Sequence, residues 1–126
     1  MSKKILIIDD EINLVVLLES RLKMQGYEVI TASDGQAGLE MAKKYKPDLI
    51  ILDLMLPKMD GYTVCGLLKN DRRYAKIPII LFTARIQESD RQTGKEVGAE
   101  AYITKPFDPK VLMAKIEELL SKSSNP

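Results

Sequence analysis

Asp48-Leu49-Ile50-Ile51-Leu52-Asp53 is the stretch on which the reading turns: four adjacent aliphatic residues held between two aspartates. A run of this length without polar alternation fits a strand covered on both faces, the condition found in parallel sheets. Working outward, Ile5-Leu6-Ile7-Ile8, Ile79-Ile80-Leu81-Phe82 and Ala101-Tyr102-Ile103 repeat the pattern. Tyr27-Glu28-Val29-Ile30-Thr31 is its half-polar version, expected at a sheet edge. Between these runs apolar residues recur at helical spacing: Leu14, Leu17, Leu18 and Leu22; Ala37, Met41, Ala42 and Tyr45; Val64, Leu67 and Leu68; Leu112, Ile116, Leu119 and Leu120. Residues 89–97 carry the weakest apolar face, so composition predicts a solvated, loosely packed helix there. Gly26 and Gly98 fall where helices should stop, and Asp108-Pro109 offers an N-cap followed by proline at the first helical position. Five alternations of strand and helix predict an α/β fold, a (βα)5 doubly wound parallel sheet with helices on both faces.

The chain has 126 residues, 45% hydrophobic and 29% charged, which fits one domain with a proper core. Residues 1–121 are expected to form it, with 122–126 as a polar tail. A net charge of +1 gives no electrostatic footprint for nucleic acid unless the charges segregate in space, and no direct nucleic-acid binding by this chain is expected. Cys65 is the single cysteine, so no internal disulfide forms within the chain, and its place on the Val64 face points to the core. The apolar runs are too short to cross a bilayer, and Met1-Ser2-Lys3-Lys4 does not open a signal peptide; a cytoplasmic protein without membrane contact is expected. The absence of histidine excludes Ser-His-Asp and Cys-His nucleophilic sites and histidine zinc sites.

What chemistry remains must use carboxylates, hydroxyls and lysines, and these follow the apolar runs. Asp9, Asp10 and Glu11 follow the first, Asp53 the third, Thr83 and Ala84 the fourth, and Thr104, Lys105 and Pro106 the fifth. In an open α/β sheet ligands bind beyond the carboxyl ends of the strands, so all of these would meet at one end. Any one of them has an ordinary explanation: an aspartate after a strand is often a cap, a threonine a strand-end hydroxyl, a lysine a solvated charge. Their joint placement at four successive strand ends is what argues for a site. Gathered carboxylates repel and need a cation; an all-oxygen donor set points to Mg²⁺, or Mn²⁺ in its place. Lys105 adds a second positive charge, and a metal and a lysine around a nucleophilic aspartate suit phosphoryl transfer.

These residues resemble the receiver domains of two-component response regulators. The motifs are Ile7-Ile8-Asp9-Asp10-Glu11, Asp48 to Pro57, Met59-Asp60-Gly61, Thr83-Ala84 and Tyr102-Ile103-Thr104-Lys105-Pro106-Phe107, and they span the chain from Lys4 to about Leu120. The resemblance implies a flavodoxin-like fold with strand order 2-1-3-4-5. It implies a signalling switch rather than an enzyme, taking a phosphoryl group from a phosphohistidine on a sensor histidine kinase or phosphotransfer protein. Asp53 matches the phosphoacceptor, Asp9 and Asp10 the acids that hold the metal together with Asp53, and Met55 the backbone carbonyl ligand. Lys105 matches the lysine that pairs with the phosphoryl oxygens, ahead of a cis proline at Pro106. Thr83 matches the hydroxyl that moves to the phosphate, and Tyr102 the aromatic that swings inward with it. The fourth helix, fifth strand and fifth helix would form the face read by an output partner. Ile12, Leu14, Val15, Pro106 and Phe107 would offer a docking surface for the phosphodonor, although several of these could equally be core.

The sequence also departs from the family. DNA-binding members carry two acids before the aromatic of the fifth strand and arginines in the last helix, where this chain has Glu100-Ala101-Tyr102, Lys110 and Lys115. That puts their particular dimer in doubt, and a phosphorylation-dependent homodimer stays open. Met55 and Arg85 stand where the family tunes the lifetime of the phosphoryl group, without fixing it here. A flavodoxin-type FMN protein would need a Ser, Thr and Gly loop where Asp9-Asp10-Glu11 stands. A haloacid-dehalogenase-type phosphatase would need a second acid at Met55. A phosphate-independent interaction module is the remaining rival. Whether the chain stands alone or begins a longer regulator is not written in it.

Overall fold

The computed structural model describes residues 2–83 and 97–123. In chain order these form β1 (Lys4–Ile8), α1 (Ile12–Met24), β2 (Glu28–Ala32), α2 (Gly35–Tyr45), β3 (Leu49–Asp53), α3 (Gly61–Lys69), β4 (Ile79–Thr83), β5 (Ala101–Thr104) and α4 (Pro109–Ser123). The helix expected at 89–97 lies outside the described residues except for Val97, as do Ala84, Arg85 and residues 124–126. The sheet order is β2-β1-β3-β4-β5 with every pairing parallel, as the resemblance implies, and the half-polar β2 takes an edge.

The interiors of the three central strands are apolar because each serves two cores, and polar residues stand only at their ends: Lys4, Asp53 and Thr83. Leu6, Ile8, Ile50, Leu52, Ile79 and Leu81 face one side, where Ala42 of α2 and Val64, Cys65 and Leu68 of α3 cover them. Ile5, Ile7, Leu49, Ile51, Ile80 and Phe82 face the other, against Leu18 and Leu22 of α1 and Leu112, Ile116, Leu119 and Leu120 of α4. The pleat, with side chains alternating between the two faces, divides each uninterrupted run between the two cores. Each such side chain contributes about 1.5–3 kcal/mol over its exposed state. Leu17, Leu67 and Tyr45, grouped by spacing with the buried faces, are 46%, 48% and 41% exposed. Leu17 and Leu67 lie beside buried Leu18 and Leu68 and flank an apolar stripe that is only about 100° wide. Tyr45 ends α2 and is covered instead by the ammonium groups of Lys4 and Lys44, 5.4 and 5.2 Å from its ring centre.

Three helix starts are set by aspartates, whereas Glu11 ahead of α1 makes no side-chain cap. Asp34 accepts from the Ala37 N–H at 2.8 Å and Asp60 from the Thr63 N–H at 2.9 Å, while Asp108, ahead of Pro109, accepts from the Lys110 N–H at 2.9 Å. At the amino end of the sheet a single lysine gathers four segments. Lys69 Nζ donates to the carbonyls of Ala75 (3.0 Å) and Ile77 (2.7 Å) and to Glu100 (2.7 Å), and the other Glu100 oxygen accepts from the Ile79 N–H at 2.8 Å. Cys65, fully buried nearby as expected, has its thiol pushed up to about 11 by burial.

Candidate functional site

Because the strands run parallel, their carboxyl ends open on one edge of the sheet. Ile8 pairs with Leu52, so Asp9 and Asp53 leave adjacent strands one residue later; Asp53 pairs with Phe82, and Thr83 with Thr104. The loop between Asp53 and α3 can turn this tightly only because Gly61 lacks a side chain: a Cβ there would run into the backbone of Asp53 and Leu54. On its far side the loop rests on α2, where the Gly35 N–H donates to the Pro57 carbonyl at 3.2 Å and a Cβ would meet the Met59 carbonyl.

The structure brings Asp9, Asp10, Asp53 and Lys105 together. One carboxylate oxygen from each of the three aspartates lies within 4.8 Å of the others; Asp10 is exposed, while Asp9 and Asp53 are buried. Lys105 Nζ lies 2.8 Å from Asp9, 3.4 Å from Asp53 and 4.0 Å from Glu11. Backbone groups take part as well, with Glu11 N–H donating to Asp9 at 2.9 Å and Met55 N–H to Asp53 at 3.2 Å. The Lys105 ammonium stands 5.6 Å from the ring centre of Phe82, which packs tilted on Phe107. The Lys105-Pro106 peptide is cis, and the Lys105 N–H donates to the Thr83 carbonyl.

One cation among several anions shapes the titration. Burial raises the Asp53 carboxyl above its ordinary value, the charge of Asp9 adds to the rise, and Lys105 with the Met55 N–H offsets part of it. Burial works against the Lys105 charge, but hydrogen bonding to Asp9 and the charges of Asp53 and Asp9 outweigh it, so its ammonium is held above its usual value. The acids outnumber the lysine, their donors are all hard oxygens, and this set fits a divalent cation of the Mg²⁺ kind.

Thr83, buried, closes β4 beside the cluster. Met55 is 79% exposed, and its backbone N–H is the group that reaches Asp53. Tyr102 is partly buried on β5, and its hydroxyl meets that of Tyr62 on α3 at 2.9 Å. Sequence reasoning missed Tyr62 and Phe82 as neighbours of these groups, because no local pattern reveals which ring or lysine they meet; Glu11, expected at this end with the acid pair, reaches Lys105. Beside the cluster a cavity of about 450 Å³ runs along α1, lined by Glu11, Leu14, Leu17, Lys105, Pro106 and Phe107 among others. Ile12, 73% exposed, lines instead a second cleft with Asp9, Asp10 and Val15, whereas Leu14, Val15 and Phe107 are partly buried against the core.

Comparison with known proteins agrees with this geometry. The alkaline phosphatase synthesis transcriptional regulatory protein PhoP of Bacillus subtilis is 47% identical over 123 residues, covering 98% of this chain and 50% of that protein. The chain spans about half the length of the curated relatives it matches. Among solved structures, the chemotaxis response regulator CheY4 of Vibrio cholerae superposes with a TM-score of 0.89 at 33% identity, covering 94% of this chain and 99% of that one. The receiver domain of the sensor histidine kinase PA1611 of Pseudomonas aeruginosa, solved with a magnesium ion in its active-site cleft, gives 0.88 at 26% identity over 96% and 99% of the two chains. The family described as the response regulator receiver domain matches residues 5–117, and the chain belongs to it as a receiver of two-component signalling.

Proposed function

We propose that the chain is a phosphoacceptor switch in which Asp53 takes a phosphoryl group from a phosphohistidine on a sensor histidine kinase or phosphotransfer protein. The observation that carries this reading is the placement of buried Asp53 at the end of a central strand, between Lys105 at 3.4 Å and the acids Asp9 and Asp10. Asp9, Asp10, Asp53 and the Met55 carbonyl would hold Mg²⁺, as the magnesium-bound receiver of PA1611 supports. Bound there, the ion would neutralise charge on the phosphoryl oxygens during transfer. A carboxylate oxygen of Asp53 forms the new O–P bond as the donor's N–P bond breaks, and the bonding pair returns to the imidazole. Lys105, already poised between Asp9 and Asp53, neutralises the transferred oxygens. The burial that raises the Asp53 carboxyl also shields the acyl phosphate from water. Thr83 supplies a hydroxyl to the new group, and Tyr102 answers by repacking, which alters the face made by β5, α4 and the helix expected at 89–97 for an output partner.

The cavity along α1 beside Lys105, lined by Leu14, Pro106 and Phe107, is the place for the donor's helices. In this reading residues 1–121 form the receiver and the few residues beyond it a tail, although α4 itself continues through Ser123. Among the described residues no helix is long and apolar enough to cross a membrane, and a cytoplasmic setting matches a kinase partner. An output domain or a separate protein would read the switched face, and a phosphorylation-dependent homodimer is one form that readout could take.

The test is intact mass after incubation with acetyl phosphate and Mg²⁺, beside Asp53→Asn and an EDTA control. One added phosphoryl group that requires both Asp53 and Mg²⁺ is expected. If there is no adduct, and no beryllofluoride binding either, the chain is a phosphate-independent interaction module.

A further inference from the structure

The loop between β3 and α3 is held at two places. Its mouth is closed where Leu54 N–H donates to the Phe82 carbonyl at 3.2 Å and Gly61 N–H to the Leu54 carbonyl at 3.0 Å. Its tip, Pro57 to Met59, is a tight turn: Met59 N–H donates to the Pro57 carbonyl at 2.8 Å, and Lys58 takes a left-handed φ of 68°. The first turn of α2 grips this tip. Gly35 N–H donates to the same Pro57 carbonyl at 3.2 Å, and Lys58 Nζ stands 3.8 Å from the Asp34 carboxylate. Gly35 is buried so close beneath the tip that a Cβ on it would run into the Met59 carbonyl. Met55 stands between mouth and tip.

We infer that this first turn of α2 sets the cation selectivity of the acid site, with Gly35 as the positioning residue. The inference rests on the phosphoacceptor reading, in which Asp9, Asp10, Asp53 and the Met55 carbonyl hold Mg²⁺. The three carboxylates stand at the ends of β1 and β3, central strands that keep their places without α2. The Met55 carbonyl rides on the loop, so its place follows the tip. Mg²⁺ demands a near-octahedral set of oxygens at about 2.0–2.1 Å, whereas Ca²⁺ accepts oxygens at about 2.3–2.6 Å in adaptable geometry. A displaced carbonyl therefore weakens Mg²⁺ more than Ca²⁺, while general loosening or a change of charge acts on both.

The test titrates the whole chain with Mg²⁺ and with Ca²⁺ by calorimetry, beside Gly35→Ala, Lys58→Asn and Asp34→Asn. Alanine forces the tip off α2, and Mg²⁺ should weaken by about tenfold to hundredfold, the scale for losing a residue that orients a metal ligand. Ca²⁺ should weaken by about threefold or less, because its shell adapts. Asparagine tolerates the left-handed φ at position 58 and retains a capping oxygen at position 34, so these two variants remove only the ion pair. As an exposed pair it should shift the Mg²⁺ to Ca²⁺ affinity ratio in the same direction by about twofold to fivefold. Unchanged Mg²⁺ affinity in Gly35→Ala, or parallel losses of both cations, overturns the inference. Should Gly35→Ala not fold, an unchanged ratio in both asparagine variants overturns it. Failure of the unaltered chain to bind either cation would instead remove the metal site, and with it the phosphoacceptor reading beneath.

Discussion

Two lysines close the two ends of one sheet, and their surroundings are opposite. Lys69 at the amino end faces one carboxylate and two carbonyls: one positive charge meets one negative charge, and both Glu100 oxygens are engaged. Lys105 at the carboxyl end faces Asp9, Asp53 and Glu11, with Asp10 completing the cluster. Both arrangements are largely withdrawn from water, so burial of ions does not by itself separate scaffold from site. What separates them is charge left uncompensated, which a folded protein tolerates only where a ligand is to supply the balance.

The balanced end is where the largest stability change is expected. Lys69→Met leaves Glu100 and two carbonyls without their donor and should lower the unfolding free energy by about 3 kcal/mol, the scale for breaking a mostly buried, multiply bonded pair. Urea denaturation reads this, and a loss below about 1 kcal/mol would mean the network is no more than a surface pair.

The unbalanced end should respond with the opposite sign. Without metal at neutral pH, Asp53→Asn relieves burial of a charge beside Asp9 and should stabilise the chain by on the order of 1–2 kcal/mol. Folding raises the Asp53 pKa, so the ionised carboxyl opposes folding above its folded value, and that opposition fades as pH falls through it toward 3.8. The advantage of Asp53→Asn should accordingly shrink across the acid range. An advantage that stays constant from neutral pH to about pH 4 would place its origin elsewhere than in this ionisation.

The smallest effect sharpens the contrast. Glu100→Gln keeps an acceptor for Lys69 or the Ile79 N–H while removing the charge. With Glu100 one-third exposed, thermal unfolding should show a loss of about 1 kcal/mol. A loss matching that of Lys69→Met would show that the negative charge, rather than the hydrogen bonds, holds this end together.

The sheet and the acid cluster were legible because both follow from order along the chain. Uninterrupted runs such as Ile79 to Phe82 announce strands buried on both faces, and parallel strands oblige whatever follows them to gather at one edge. Asp9, Asp10, Asp53 and Lys105 could be placed from that rule alone. The Lys69 network could have been suspected, since Lys69 lies four residues after Cys65 on an otherwise apolar face, but its partner Glu100 is 31 positions away and nothing local names it. The Tyr62 to Tyr102 contact and the ring of Phe82 beneath Lys105 depend on how helices settle on the sheet, which periodicity does not encode. The exposure of Leu17 and Leu67 follows the same limit, because a stripe of spacing has flanks whose burial only the neighbouring element decides.

Gly61 and Met55 divide the loop after Asp53 into two kinds of position for a chain that drifts by mutation. Any replacement of Gly61 adds at least a Cβ against the backbone of Asp53, so no amino-acid substitution is neutral there. Met55 is 79% exposed, and the backbone N–H it donates to Asp53 is one that every residue but proline possesses, so its identity can wander while the fold persists. Lineages carrying this loop should therefore diverge at its exposed rim and stay frozen at its hinge, leaving the rim as the place where one receiver can be tuned differently from the next.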